Sequence, residues 1–149
     1  MGTDASGGYS LSILSTIQHA SIASKMIAVQ AAANSDKQSG RFTNQRLSIA
    51  TLLYLATLGG AHLCCLQDRI GSFAKGKAFD ALLVSVRHET GNPAVWGYNP
   101  RRDVTEDTSQ DADKSLKEWL ERFLFCGDDR NIKRVIVQGR MIGGQEYQH

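Results

Sequence analysis

Asp4, the run Asp128-Asp129-Arg130, three cysteines and four histidines are the residues of this 149-residue chain whose types could do chemistry. A carboxylate can carry a proton between water and a substrate if it lies within hydrogen-bond reach of both. By its position alone, in Met1-Gly2-Thr3-Asp4-Ala5-Ser6-Gly7-Gly8, Asp4 is a solvated loop residue or a helix cap. Paired carboxylates beside an arginine can position a substrate, but Asp128-Asp129-Arg130 joins a hydrophobic helix to a strand. A turn held by charge-assisted hydrogen bonds is therefore expected there. Cys64, Cys65 and Cys126 lack the paired spacing of a zinc ribbon or a redox dithiol, follow apolar runs, and are expected to pack as small buried hydrophobes. His19, His62, His88 and His149 share no metal-ligand spacing and read as surface or structural residues. Trp119, Phe123 and Phe125 read as core or interface rather than as a platform for stacking bases.

Bulk properties narrow the partners. Lys and Arg number 17 against 15 Asp and Glu, so there is no electrostatic footprint of a nucleic-acid binder or a basic membrane-surface helix. No basic stretch leads into an apolar run at the N-terminus, and no apolar segment approaches the roughly 20 residues of a membrane span. The odd cysteine count suits a reduced setting, so a soluble, cytoplasmic protein is expected. The Gly/Ser-rich start precedes any element, and is either a flexible tail or the middle of a longer fold.

The elements that must hold these residues follow from periodicity. Ile13, Leu14, Ile17, Ala20, Ala23, Met26 and Ile27 recur at helical spacing and predict a long amphipathic helix over 10–33, followed by a polar loop at 34–40. Ser48 is a plausible N-cap for a second helix through Ile49, Leu52, Leu53, Leu55 and Ala56, with Gly59-Gly60 as its stop and a further short turn over 61–66. Gly71 and Gly76 mark turns, after which 81–86 reads as a buried strand. The polar stretch 87–113, with both prolines and the carboxylates Asp103, Glu106, Asp107, Asp111 and Asp113, reads as a solvated insertion loop. Leu116, Trp119, Leu120, Phe123 and Leu124 mark a helix over 115–126, and 134–142 reads as a strand, a glycine turn and a return strand. One buried strand amid helices leaves backbone groups unpaired, so neighbouring strands are expected from outside the chain.

Three segments in order, Ala56-Thr57-Leu58-Gly59-Gly60-Ala61, then Ile70-Gly71-Ser72-Phe73-Ala74-Lys75-Gly76-Lys77-Ala78-Phe79-Asp80, then Val135-Ile136-Val137-Gln138-Gly139-Arg140, resemble the C-terminal signature of the zinc-dependent amidohydrolase superfamily. Gly2-Thr3-Asp4 with Gly7-Gly8-Tyr9-Ser10, and Phe123 to Ile132 with its Gly-Asp-Asp-Arg-Asn-Ile run, resemble the guanine deaminase branch in particular. The resemblance covers nearly the whole chain apart from the loops near Asn34 and Asn99.

That resemblance implies an α/β fold: a C-terminal fragment of a TIM-like (β/α)8 barrel plus part of the flanking small β-sandwich domain. Residues 1–66 would be the end of the metal-dependent hydrolase barrel and its following helices. Residues 67–149 would be the C-terminal part of the composite β-domain, with an insertion loop (87–113) and a helix (115–126). It implies hydrolysis of guanine to xanthine and ammonia, zinc as the metal and a homodimer as the assembly; the charge balance and the lack of an apolar run point to no nucleic acid or membrane partner. The family's catalytic aspartate, which contacts the metal-bound water and takes its proton, falls on Asp4 as both catalytic and metal-site residue. The His-x-His pair of the family, its two later histidines and its purine-gripping residues have no counterparts among these residues. A chain inactive by itself and unable to hold zinc stably is therefore expected. Other readings are a chlorohydrolase-type or different amine-releasing amidohydrolase, against which Gly127 to Ile132 speaks, or a catalytically dead remnant or binding module. The cytidine-deaminase type is excluded, because its His-x-Glu and Pro-Cys-x-x-Cys elements are absent.

Overall fold

A computed structural model of the chain describes residues 1–33, 46–96 and 109–148. It divides into two compact units, Met1–Ser72 and Phe73–His149. The polar loop expected at 34–40, and Pro100, Asp103, Glu106, Asp107 and His149, lie outside the described residues.

The first unit is helical, with α1 at Ile13–Ala33, α2 at Ile49–Ala56 and α3 at Leu58–Leu63. Ser12 fixes the start of α1, its Oγ accepting the Ser15 N–H at 3.3 Å and its carbonyl accepting the Thr16 N–H at 3.1 Å. Of the expected apolar stripe of α1, only Ile17 is buried. Ile17, Ser21 and Ser24 are buried, while Ile13, Ile22, Met26, Ile27 and Val29 are exposed. Small serines permit the close approach: Ser24 Oγ donates to the Ser21 carbonyl at 2.8 Å and accepts the Leu47 N–H at 3.2 Å. Apolar residues thus lie all round α1, the pattern of a helix covered on every side.

Ser48 caps α2 as its sequence suggests, accepting the Thr51 N–H at 3.1 Å. Leu52 on that helix is fully buried. Gly59-Gly60 is not the helix stop. Thr57, at φ −123° and ψ −100°, breaks the helix two residues earlier, and both glycines lie within α3. A Cβ on Gly59 would stand 2.9 Å from the Tyr54 ring and 3.0 Å from its carbonyl oxygen, so glycine lets α3 start tight against α2.

The second unit carries an antiparallel sheet of β1 (Ala81–Val84), β2 (Ile132–Val137) and β3 (Arg140–Gly143), in the order β1-β2-β3. Leu82 lies opposite Val135, and Ile136 opposite Met141. This corrects two expectations for 81–86. The strand ends at Val84 with Leu82 and Leu83 exposed, and its neighbour comes from the same chain. The strand expected at 134–137 is that neighbour: β2 begins two residues earlier, at Ile132, and pairs along both its edges, with β1 as well as with the return strand β3.

The turn between β2 and β3 has Gln138 at φ 50° and Gly139 at φ 76°, the two positive angles of a two-residue hairpin. The segment leading into β1 closes over it, since Asp80 Oδ1 accepts the Gln138 N–H at 2.8 Å and the Phe79 carbonyl accepts the Gly139 N–H at 2.9 Å.

Residues 87–96 are not a solvated loop. They form two short 3-10 turns, His88–Thr90 and Pro93–Val95, that bury Thr90, Asn92 and Val95. Helix α4 spans Ser109–Cys126, beginning earlier than expected, and buries Leu124. Among the described residues no helix is long and apolar enough to cross a membrane.

Candidate functional site

Asp4 lies on an exposed turn before α1 and adopts φ 49°. Its carbonyl accepts the N–H groups of both Gly7 (2.9 Å) and Gly8, which folds the chain back over the residue. The carboxylate points toward Gly7: a Cβ built there would meet Asp4 Oδ2 at 2.9 Å. The start of the chain is tied to α2 by the Met1 amino group, 3.5 Å from the Leu55 carbonyl. Beyond the turn, the Tyr9 ring meets the His19 ring edge-on, with centroids 5.3 Å apart and planes at 70°.

Asp128-Asp129-Arg130 forms a clamp. Asp128 Oδ1 accepts the Arg130 N–H at 2.9 Å, and the Arg130 guanidinium reaches back with Nε at 3.1 Å from both carboxylate oxygens and Nη2 at 2.6 Å from Oδ2. Arg130 Nη1 also donates to the Gly91 carbonyl at 3.0 Å. The hydrogen bond from the Arg130 side chain holds the Asp128 carboxyl below the usual carboxylate range, and the same bond raises Arg130. The fork's hydrogen bonds go to Asp128 of its own turn and to the Gly91 carbonyl, as expected of a structural element.

The turn's deeper function falls to a residue that sequence reasoning passed over. Asn131 is fully buried and Asn92 nearly so, and the two side chains bond at 2.7 Å. Asn131 also accepts the Asp128 N–H at 3.0 Å and donates to the Ser85 carbonyl at 2.7 Å, while Asn92 donates to the Cys126 carbonyl at 2.8 Å. The only sequence signal was the three-residue spacing from Asp128 to Asn131, which is that of a capping box.

The remaining candidates are dispersed. His19, His62 and His88 are exposed, as read. Cys64 and Cys65 are exposed and Cys126 is half-buried, contrary to their expected burial. The short helix α3 buries only Ala61, and the chain swings away at Cys65 with φ 57°, leaving both thiols outside the packing. Among the described residues no three His, Cys, Asp or Glu side chains gather where they could hold a metal ion. A catalytic zinc takes about three protein ligands. Asp4 alone is not that donor set, so the residues described do not by themselves fit a metal.

Residues 1–142 match the amidohydrolase family. The chain belongs to that family. It is 34% identical over 98% of its length to a probable guanine deaminase of Schizosaccharomyces pombe, and 33% identical over 95% to the guanine deaminase of Mus musculus. The solved guanine deaminase of E. coli superposes on 97% of this amidohydrolase chain with a TM-score of 0.64 and 30% identity. That of Bradyrhizobium japonicum, at 20% identity and a TM-score of 0.68, bears on the fold alone. The chain spans about a quarter of the length of the curated relatives it matches, 23% of the first and 27% of the second. Its mixed helix and strand content accords with an amidohydrolase fold.

Proposed function

We propose that the protein carrying this chain hydrolyses guanine to xanthine and ammonia, with Asp4 as its proton carrier. The observation that supports this is the identity of about a third to guanine deaminases along almost the whole chain. In this reading residues 1–66 are the end of a (β/α)8 hydrolase barrel and its following helices. Residues 67–149 belong to the flanking β-domain. The protein is cytoplasmic and homodimeric, and binds neither nucleic acid nor membrane.

The reaction replaces an exocyclic amine by oxygen. Water adds to the ring carbon bearing the amine, and a carboxylate within about 3 Å takes a proton from the attacking oxygen. The same proton passes to the amine nitrogen, the carbon–nitrogen bond breaks with its electron pair on nitrogen, and ammonia leaves. The remaining hydroxyl proton moves to the ring as the lactam of xanthine. The exposed Asp4 carboxylate, on a turn closed by two N–H groups to its own carbonyl, suits such a carrier. A metal centre accords with the family, and we assign zinc to it, with Asp4 beside it and further ligands that the described residues do not supply.

The experiment is ammonia release from guanine by the product of the whole reading frame that encodes these residues, with adenine and cytosine as competing substrates. Release from guanine alone supports the assignment. Turnover of another amine, or of none, replaces it by one of the other amidohydrolase readings.

A further inference from the structure

Gly7 follows Asp4 by three residues and donates its N–H to the Asp4 carbonyl at 2.9 Å. Its backbone does not call for glycine, because its φ is not among the positive ones. What the position requires is space. A Cβ at Gly7 would stand 2.9 Å from Asp4 Oδ2, 3.6 Å from Cγ and 3.9 Å from Oδ1, so all three carboxyl atoms lie over the bare face of the glycine. The shortest of these is closer than real Cβ contacts come, and one of the two groups would have to move.

Gly8, one residue on, is a different case. A Cβ there would run into the carbonyl oxygens of Thr3 and Asp4, which are backbone atoms and cannot swing aside without undoing the turn. At Gly7 the obstructing atom is the end of a short side chain on an exposed turn. Rotation about the Asp4 Cα–Cβ bond into another staggered well relieves it. A methyl group at position 7 thus costs the fold little and costs the carboxylate its direction.

We infer that Gly7 is a positioning residue that keeps open the rotamer in which Asp4 presents its carboxylate for proton transfer. This rests on the assignment of Asp4 as proton carrier. Proton transfer demands hydrogen-bond reach, and displacement of a reacting group by about 1 Å costs on the order of a hundredfold in rate. Ser6, exposed in the same turn, already carries a Cβ and serves as the control.

The test compares Gly7→Ala and Ser6→Ala with the unaltered protein. Three-bond couplings from the Asp4 β protons report its rotamer, thermal unfolding reports the fold, and guanine turnover reports kcat and KM separately. Gly7→Ala is expected to switch the Asp4 rotamer, leave the unfolding midpoint in place and lower kcat on the order of a hundredfold with KM little changed. Ser6→Ala is expected to change none of these. An unchanged Asp4 rotamer in Gly7→Ala overturns the inference, as does a midpoint several degrees lower, which would make Gly7 a structural residue. If the unaltered protein fails to turn over guanine, the functional assignment falls while the couplings still decide whether Gly7 sets the rotamer.

Discussion

Asn92 Nδ2 donates to Asn131 Oδ1 at 2.7 Å inside the second unit, joining a segment before α4 to the turn after it. Around this bond the Ser85 carbonyl, the Cys126 carbonyl and the Asp128 N–H are all satisfied by the two amides. Among the described residues no buried side-chain nitrogen or oxygen lacks a partner. Truncating Asn131 to alanine strands several of these groups at once, and each buried group left unpaired costs roughly 1–3 kcal/mol. Asn131→Ala is expected to destabilise the protein by about 3 kcal/mol in urea denaturation. A loss under about 0.5 kcal/mol would show that water replaces the amide.

Asp128 gives a pH dependence whose sign follows from its partner. Its folded carboxyl is held low by the Arg130 side chain, so it stabilises the fold above the ordinary carboxylate range and ceases to do so as pH falls through the folded value. Asp128→Asn keeps an oxygen to accept the Arg130 N–H but removes the charge. The stability gap between the two proteins is expected to be full at neutral pH and to close on acidification. A gap that stays constant with pH would detach it from the carboxylate. The pair is well exposed, with side-chain exposures of 47% and 44%, so the gap is small and shrinks with salt.

The hairpin turn is expected to be sensitive at both its glycine and its seal. Gly139 at φ 76° disfavours any Cβ, and Gly139→Ala should cost about 1–2 kcal/mol. Asp80→Ala removes the acceptor of the Gln138 N–H, a net loss of about 0.5–1.5 kcal/mol for an exposed bond. Thermal unfolding of the two variants and their double mutant measures both terms. If Asp80→Ala costs nothing in the Gly139→Ala background but its full amount otherwise, the seal depends on the turn being formed.

Chemistry should depend on the charge of Asp4. In the product of the whole reading frame Asp4→Asn keeps the shape of the side chain and removes the proton acceptor, a loss commonly on the order of a hundredfold to ten-thousandfold. Turnover near normal would return Asp4 to a solvated loop residue. The 149 residues by themselves are expected to release no ammonia from guanine, since among those described no metal-holding cluster forms.

The isolated chain should also self-associate, because Ile22, Met26 and Val29 put apolar surface on the outer side of α1. Size-exclusion chromatography should show species larger than a monomer, and Ile22→Lys with Met26→Lys should reduce them. A monodisperse monomer would mean the surface is tolerated in water.

What could be read in advance was local. Ser48 announced its helix because a cap acts within three residues, and Gly139 announced its hairpin because a turn acts within two. The Gly59-Gly60 pair misled because its role is steric, set by how closely α3 approaches Tyr54, which no local pattern encodes. Asn92 and Asn131 were invisible for a related reason: polar residues in polar stretches look solvated until the fold shows that they meet across 39 residues of chain. The apolar content of α1 was legible, but its packing face only at Ile17, since serines made the rest of it. Asp4 was found through the motif around it, not through spacing to any partner.

The strand order carries a consequence for the time at which this unit can fold. β2 lies at the centre of the sheet and is the partner of both its neighbours, yet β1 precedes it by the entire stretch from Ser85 to Asn131. A growing polypeptide leaves the ribosome at about 5–20 residues per second, so β1 waits for some seconds without β2 beside it. Its early pairing is closed off by loop entropy as well, since the intervening stretch must be ordered before the contact repays it. The Asn131 amide bonding to the Ser85 carbonyl is the knot that draws the two ends of that stretch together, and it arrives one residue before the strand it delivers. A nascent chain stalled short of Ile132 therefore presents the β2-facing edge of β1 open, and that interval is when a chaperone would have most to hold.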